Sequence, residues 1–152
     1  MNIFESDNFA EIWLCFLELE ISRSRELMKF AGSANTYLVL QAVSYHQLRL
    51  IYEIKNGDGT YSAIKNGILF PESLDPKLKK SLNYSTISNW TGLDKETVRR
   101  ACKTLETQGI LNIHSESGIA LNLDDGKGTS IVNVHEKVKP LMTKFLSKVS
   151  RS

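Results

Sequence analysis

The strongest constraint on the fold is a stretch, residues 84–109, in which two helical patterns are separated by only a few residues. Ser85 can cap the first helix, and Gly92 can end it because glycine tolerates a positive φ angle. Asp94 can then cap the second helix almost at once. The inward positions of this second helix are apolar or small: Val98, Ala101, Cys102 and Leu105. Two helices joined by so short a turn must cross each other closely.

A pattern typical of a β-hairpin follows the second helix directly. Gly109 stops the helix, and residues 110–114 and 119–123 read ILNIH and IALNL, with SESG between them. These runs read as two strands joined by a tight turn. The segment therefore predicts helix, turn, helix and hairpin in that order.

The run TGLDKETVRRACKTLETQGIL, residues 91–111, resembles the winged helix-turn-helix of bacterial regulators of the MarR and GntR type. The resemblance covers roughly residues 83–124. It implies a mainly α fold with a small β-hairpin, in which long N- and C-terminal helices flank the winged helix-turn-helix. It also implies a sequence-specific transcriptional regulator whose recognition helix, residues 95–108, enters the major groove of double-stranded DNA.

The same resemblance assigns DNA contacts by position. The outward residues of the recognition helix are the first candidates: Lys95, Thr97, Arg99, Arg100 and Lys103. We expect Arg99 and Arg100 to contact bases, because a guanidinium can bond a guanine through two hydrogen bonds. The expected phosphate contacts, which set the register, are Lys95, Lys103, Ser85 and Thr86.

Two features depart from this family pattern. The hairpin tip carries Glu116 and no basic residue, whereas a wing that enters the minor groove usually presents one. Lys127, in the DDGKG turn, can serve as the basic contact instead. The second departure is an insertion, residues 56–80, which ends in a KLKK cluster and either extends the DNA contact or is a solvated loop.

The remainder of the chain divides into flanking segments. Residues 1–55 predict two long helices, the first with a possible cap at Asn8 and an end near Gly32, and the second capped by Ser33. The second helix has almost no polar face, which favours burial against another subunit. Residues 56–82 are an irregular linker with a possible short hairpin over residues 61–70. Residues 83–133 are the DNA-binding unit.

Residues 134–152 predict a C-terminal helix with an apolar stripe. Asn133 and Glu136 have the spacing of a capping box, and Pro140 either kinks this helix or marks a late start. The stripe can pack on the first helix of the same chain or on another subunit, and both remain open. Because MarR-type proteins dimerise through such flanking helices, the resemblance implies a homodimer.

Positive charge is concentrated in two stretches. The chain has a net charge of only +2, but residues 77–103 contain seven basic and two acidic side chains, and residues 127–152 contain six and one. The other two stretches, residues 1–76 and 104–126, are net acidic. A polyanion would therefore meet two particular parts of the chain.

Other classes of function find little support. The three histidines are dispersed without ligands at metal-binding spacing, and no phosphate-binding loop or nucleophile elbow occurs. We therefore expect no enzyme activity, no metal and no cofactor. The N-terminus has acidic residues where a secretory signal needs basic ones, and no long uncharged apolar run occurs, which predicts a cytoplasmic protein without a membrane contact. Cys15 and Cys102 are expected to be core thiols in a reducing compartment.

Two alternatives to a regulator stay open. A nucleic-acid-binding accessory protein, in replication or partition, would bind DNA with little sequence preference. A winged-helix protein-interaction module would not bind DNA. Trp13, Trp90 and the aromatic residues of the first two helices could also line a pocket for a small effector between these helices and the DNA-binding unit, although core packing is favoured for them.

Overall fold

The structure is a computed structural model that describes residues 2–54, 60–69, 82–115, 118–123 and 127–151. Within these ranges the fold is mainly helical with one small antiparallel hairpin, as the sequence predicts. After a 3-10 turn at Ile3–Glu5, the elements are α1 (Phe9–Ala31), α2 (Ala34–Ile54), α3 (Tyr61–Leu69), α4 (Tyr84–Thr91), α5 (Lys95–Thr107), β1 (Leu111–His114), β2 (Gly118–Leu121) and α6 (Ile131–Val149). The KLKK cluster, Glu116 and the turn at residues 56–59 lie outside the described residues.

Helix α1 has the predicted bounds. It begins after Asn8, although the Asn8 side chain does not cap it, because its Oδ1 accepts a hydrogen bond from Ser6 instead. It ends where Gly32 adopts a φ of 102° and donates its N–H to the carbonyl oxygen of Met28 at 2.7 Å. A glycine in the left-handed region is the usual way to end a helix.

Helix α2 is the central element, in contact with α1, α3, α4, α5 and β2. Its start is as predicted, because Ser33 Oγ accepts a hydrogen bond from the N–H of Thr36 at 3.2 Å. The prediction that nearly every side is buried holds only in part. Val39, Leu40 and Val43 are buried, but the surface of the helix includes exposed residues: Tyr45, Leu48 and Tyr52.

The predicted hairpin over residues 61–70 is wrong, because Tyr61–Leu69 form helix α3. The hydroxyl of Thr60 accepts a hydrogen bond from the N–H of Ala63 at 3.2 Å, as an N-cap residue does. Helix α3 contacts α2, and Lys65 pairs with Glu136 of α6 at 3.1 Å. These tertiary contacts support a helix where the sequence alone shows little periodicity.

Helix α6 starts at Ile131, so Asn133 lies inside the helix and the predicted capping box is wrong. Pro140 also lies within the helix. Of the two surfaces left open for its apolar stripe, α6 packs on α1 of the same chain. The two helices run antiparallel, with ion pairs between Lys144 and Glu18 at 2.7 Å and between Lys137 and Glu26 at 3.4 Å.

One hydrophobic core joins α1, α2, α4, α5, the hairpin and α6. Its fully buried side chains include Leu27, Leu40, Ile87, Leu105 and Ile131. The two cysteines are both buried and unpaired, as predicted for core thiols. Among the described residues, no helix combines the length and apolar character needed to cross a bilayer.

Candidate nucleic-acid interface

Helix α4 is capped by Asn83, so the predicted Ser85 cap is wrong. Asn83 has extended backbone angles, and its Oδ1 accepts a hydrogen bond from the N–H of Thr86 at 2.9 Å. Asparagine is among the strongest N-cap residues because its side-chain oxygen satisfies an N–H that the first turn leaves unpaired. Ser85 therefore lies inside the first turn, half-buried like Thr86.

The turn between α4 and α5 forms as predicted. Gly92 adopts a φ of 75° and donates its N–H to the carbonyl oxygen of Ser88 at 2.9 Å. The hydroxyl of Ser88 in turn donates to the carbonyl oxygen of Leu93 at 2.6 Å, which fixes the turn to α4. Asp94 then caps α5, because its Oδ1 accepts a hydrogen bond from the N–H of Thr97 at 2.9 Å.

Helix α5 has one buried and one exposed face. All four predicted inward residues are buried: Val98, Ala101, Cys102 and Leu105. Burial raises the pKa of the Cys102 thiol to about 12, so this sulfur stays protonated and acts as an apolar group in the core. The core side of the helix thus fixes which residues face outward.

The predicted contact residues on α5 are brought together on one surface, with one exception. Lys95, Arg99, Arg100 and Lys103 are exposed. Thr97 is half-buried, and its hydroxyl donates to Asp94 Oδ2 at 2.7 Å, so it forms part of the helix cap.

Glu96 is a functional candidate that the sequence reasoning missed. It accepts two hydrogen bonds from Arg99, at 2.7 and 2.9 Å, and one from Arg100 Nε at 3.0 Å. Chiefly through the bonds from Arg99, the pKa of Glu96 falls to about 2. The signal was present in the sequence, because residues three and four apart are neighbours on a helix surface. In the free protein one carboxylate therefore holds both arginines.

The hairpin follows α5 as predicted, with Leu111 opposite Leu121 and His114 opposite Gly118. Its open end is tied to α5, because the Asn122 side chain donates to the carbonyl oxygen of Gly109 at 3.2 Å. This bond fixes where the hairpin leaves the helix. Residues 116 and 117 at the tip are outside the described part of the chain. The departure predicted from Glu116 therefore stays a prediction.

Lys127 lies away from the hairpin tip. It is exposed, and its Cδ would be 3.7 Å from a Cβ added to Gly109, just before β1. That position is the open end of the hairpin, whereas the tip is the opposite end. Lys127 is therefore grouped with the end of α5 and is not placed to replace a basic residue at the tip.

The outer face of α1 carries a stripe of exposed apolar side chains. Leu14 and Ile21 are each 68 % exposed, and Leu17 between them is 41 % exposed. Met28, seven residues after Ile21 and therefore on the same face, is 37 % exposed. This spacing is that of a seam between two packed helices. In a single chain the stripe has no partner helix among the described residues.

Of the aromatic residues predicted as possible pocket walls, Trp13 and Trp90 pack against neighbouring rings, whereas Tyr45 of α2 lines a cavity. Trp13 stacks on Phe16 with ring centroids 5.1 Å apart, and Trp90 meets the edge of Tyr45 at 5.3 Å. This cavity, lined by neither tryptophan, lies between α2, α3 and α6. In the described parts of the chain, no three His, Cys, Asp or Glu side chains are grouped as metal ligands.

Comparison of this chain with protein-family models, with curated proteins and with solved structures gave no match.

Proposed function

We propose that the protein is a homodimeric transcriptional regulator that binds double-stranded DNA at specific sequences. The observation that carries this proposal is the exposed face of α5, where Lys95, Arg99, Arg100 and Lys103 lie opposite a fully buried face. Helix α5 has 13 residues and is therefore about 20 Å long. The major groove, about 12 Å wide, admits a helix of this kind.

The order of elements around α5 supports the same function. In a winged helix-turn-helix, a first helix braces the recognition helix and a hairpin follows it. Here α4, the turn at Gly92, α5 and the β1–β2 hairpin have this order. Lys95, an expected phosphate contact, is in the first turn of α5, and the expected base contacts Arg99 and Arg100 follow about one turn later.

Dimerisation is supported by the stripe on α1. Burial of Leu14, Leu17 and Ile21 against the same residues of a second copy would remove a large apolar surface from water. Two copies of α5 related by a two-fold axis would read two half-sites about 34 Å apart. We further propose a cytoplasmic protein that acts by binding and not by catalysis.

Selection of bound sequences from a random duplex pool tests this function, with the oligomeric state measured in parallel. We expect enrichment of a two-fold symmetric site. Failure to bind any duplex at low salt would refute DNA binding altogether. Binding without enrichment and with a steep salt dependence would assign the protein instead to the accessory class.

A further inference from the structure

We propose that Glu96 is a specificity-determining residue of α5, because it holds the guanidinium of Arg99 in an orientation that can bond a guanine. This role rests on the proposed function, since it concerns how the same helix reads duplex DNA. It gives a negative side chain a part in recognition on a surface whose exposed contact candidates are cations: Lys95, Arg99, Arg100 and Lys103.

The guanidinium of Arg99 is bound to Glu96 along one edge. Its Nε donates to Oε2 of Glu96 at 2.9 Å, and its Nη2 donates to Oε1 at 2.7 Å. Two parallel hydrogen bonds between a planar guanidinium and a planar carboxylate fix the orientation of both groups. Arg99 therefore has a defined orientation before any DNA is present, which lowers the entropic cost of ordering it on binding.

The outer edge of the same guanidinium keeps its donors. A guanidinium has five N–H groups, and Glu96 accepts two of those of Arg99. The other three belong to Nη1 and Nη2 at the end of the side chain. Guanine presents two neighbouring acceptors, O6 and N7, in the major groove, whereas adenine presents an acceptor beside a donor. Guanine can therefore bond Arg99 while Glu96 still holds it.

Arg100 is held less firmly by the same carboxylate. One described hydrogen bond joins it to Glu96, from its Nε at 3.0 Å. Its side chain is 76 % exposed, against 48 % for that of Arg99. A single hydrogen bond lets the guanidinium turn, so Arg100 can follow a phosphate or a base wherever the duplex places it. Glu96 thus gives a fixed direction to Arg99 and not to Arg100.

The negative charge of Glu96 adds to this selectivity. Hydrogen bonds from Arg99 and then Arg100 lower the pKa of Glu96 to about 2, so its carboxylate is ionised at neutral pH. Like charges repel, and this carboxylate therefore weakens contact with the phosphates of any duplex. Guanine offsets the repulsion through its bonds to Arg99, whereas another base at that position does not. A group that disfavours the wrong partner increases the difference between two affinities, which is specificity.

Fluorescence anisotropy with the duplex obtained by selection tests this role. In a series of probe duplexes, 7-deazaguanine, which lacks the N7 acceptor, replaces one guanine at a time. We expect one position at which the replacement weakens binding of the wild type by about tenfold, because it removes half of a bidentate contact. The same replacement should weaken binding of Glu96→Gln by about threefold or less, because Arg99 is then free to turn.

The variant Glu96→Gln should also bind a duplex of unrelated sequence about threefold more tightly than the wild type does, since one negative charge near the phosphates is removed. The matched control is Glu106→Gln. Glu106 pairs with Lys103 at 3.3 Å on the same helix, so this change removes the same charge and an exposed ion pair. It should leave the effect of 7-deazaguanine at about tenfold, as in the wild type.

A third variant, Glu96→Asp, separates orientation from charge. It keeps the negative charge, but its side chain is one CH₂ group shorter and should not make both bonds to Arg99. We expect it to lose the sensitivity to 7-deazaguanine without a gain in affinity for the unrelated duplex. Thermal melting of each variant shows that the fold is retained.

Failure of this role and failure of the proposed function give different results. If the wild type binds no duplex, the function is refuted and the role of Glu96 with it. Selective binding with the same 7-deazaguanine effect in the wild type and in Glu96→Gln would leave a DNA-binding regulator and overturn the role of Glu96. A selected site without guanine, or an equal loss of the effect in Glu106→Gln, would overturn it as well.

Discussion

Single side chains on α5 divide into those that build the helix and those that are placed to contact a ligand. Asp94 and Thr97 form the cap, which removes Thr97 from the predicted DNA contacts. Arg99 and Arg100 share the carboxylate of Glu96. Surface ion pairs of this kind are weak, so phosphates or bases can compete for both arginines. Lys95 has no ion-pair partner among the described residues.

Substitutions on α5 should separate base contacts from phosphate contacts. We expect Arg99→Ala to weaken binding to the selected duplex by about tenfold to a hundredfold and to relax selectivity at one base pair. Lys95→Ala should weaken binding to all duplexes similarly and reduce the slope of log affinity against log salt by about one. Fluorescence anisotropy over a salt series measures both effects.

The matched control for these variants is Arg49→Ala. Arg49 pairs with Glu53 four residues later on α2, so this change also removes one exposed ion pair on a helix. It should leave duplex affinity unchanged. An equal loss in Arg49→Ala and Arg99→Ala would contradict a specific role for α5.

The cap at Asp94 should make the stability of the protein depend on pH in acid. Hydrogen bonds from Thr97 lower the pKa of Asp94 below its ordinary value. A carboxyl whose pKa is lower in the folded state stabilises the fold above its unfolded pKa of about 3.9, and this contribution is lost as the pH falls through the folded pKa. We expect Asp94→Asn, which keeps a capping oxygen, to lose less free energy of unfolding between about pH 7 and about pH 3 than the wild type.

Urea unfolding at the two pH values measures this difference. Asp94→Ala is the control, because it removes the cap at both pH values and should destabilise the protein at neutral pH, where Asp94→Asn should not. The same acid dependence in the wild type and in Asp94→Asn would show that the cap does not titrate as described.

At the scale of elements, the α4–α5 turn requires glycine because of its backbone conformation and not because a side chain would collide with other atoms. Gly92 has a φ of 75°, yet a Cβ added there would meet no atom within 4 Å. Gly128, before α6, is the opposite case, because an added Cβ would lie 2.0 Å from the carbonyl oxygen of Asn122. One glycine is required by its torsion angle, and the other by the close approach of two backbones.

We expect Gly92→Ala to destabilise the protein by about 1 to 2 kcal/mol, the penalty for an L-residue in the left-handed region. Gly92→Asn should be milder, because asparagine tolerates this region. Gly128→Ala should exceed about 3 kcal/mol, since the backbone itself must move. Chemical denaturation of the three variants gives this order, and a smaller effect at Gly128 than at Gly92 would contradict it.

The sequence predicted the elements that carry strong local signals. Gly92, Asp94 and Gly109 are local signals that begin or end a helix within one turn. The helical spacing of the apolar residues in α5 correctly predicted every buried residue of that helix. Local signals failed where two residues compete for one role, as at Asn83 and Ser85. They also failed for α3, because its contacts with α2 and with Glu136 of α6 come from distant parts of the chain. The cavity could not be predicted for the same reason.

At the scale of the whole molecule, α1 has two apolar faces with different partners. One face packs on α6, where Phe16 and Phe145 have ring centroids 5.7 Å apart. The other face carries Leu14, Leu17 and Ile21, which remain exposed in the single chain. Because the first face is already covered, the second is available to a further copy without rearrangement of the fold.

We expect the double variant Leu14→Glu with Ile21→Glu to be monomeric and still folded, because both side chains are exposed in the single chain. Loss of the second copy should weaken binding to a two-fold site by more than about tenfold and leave binding to an isolated half-site nearly unchanged. Sedimentation velocity gives the oligomeric state, and Asn35→Glu, an exposed position on α2, is the control. A dimer that survives the double variant would place the interface elsewhere.

Cys102 is buried on the inner face of α5, so its chemical reactivity depends on local opening of this helix. A thiol with a pKa of about 12 reacts with an alkylating reagent only after α5 separates from the core and water reaches the sulfur. The labelling rate of this residue therefore reports how often α5 separates from the core. Bound duplex should slow that rate if it holds α5 in place, which gives a readout of DNA engagement that needs no added fluorophore.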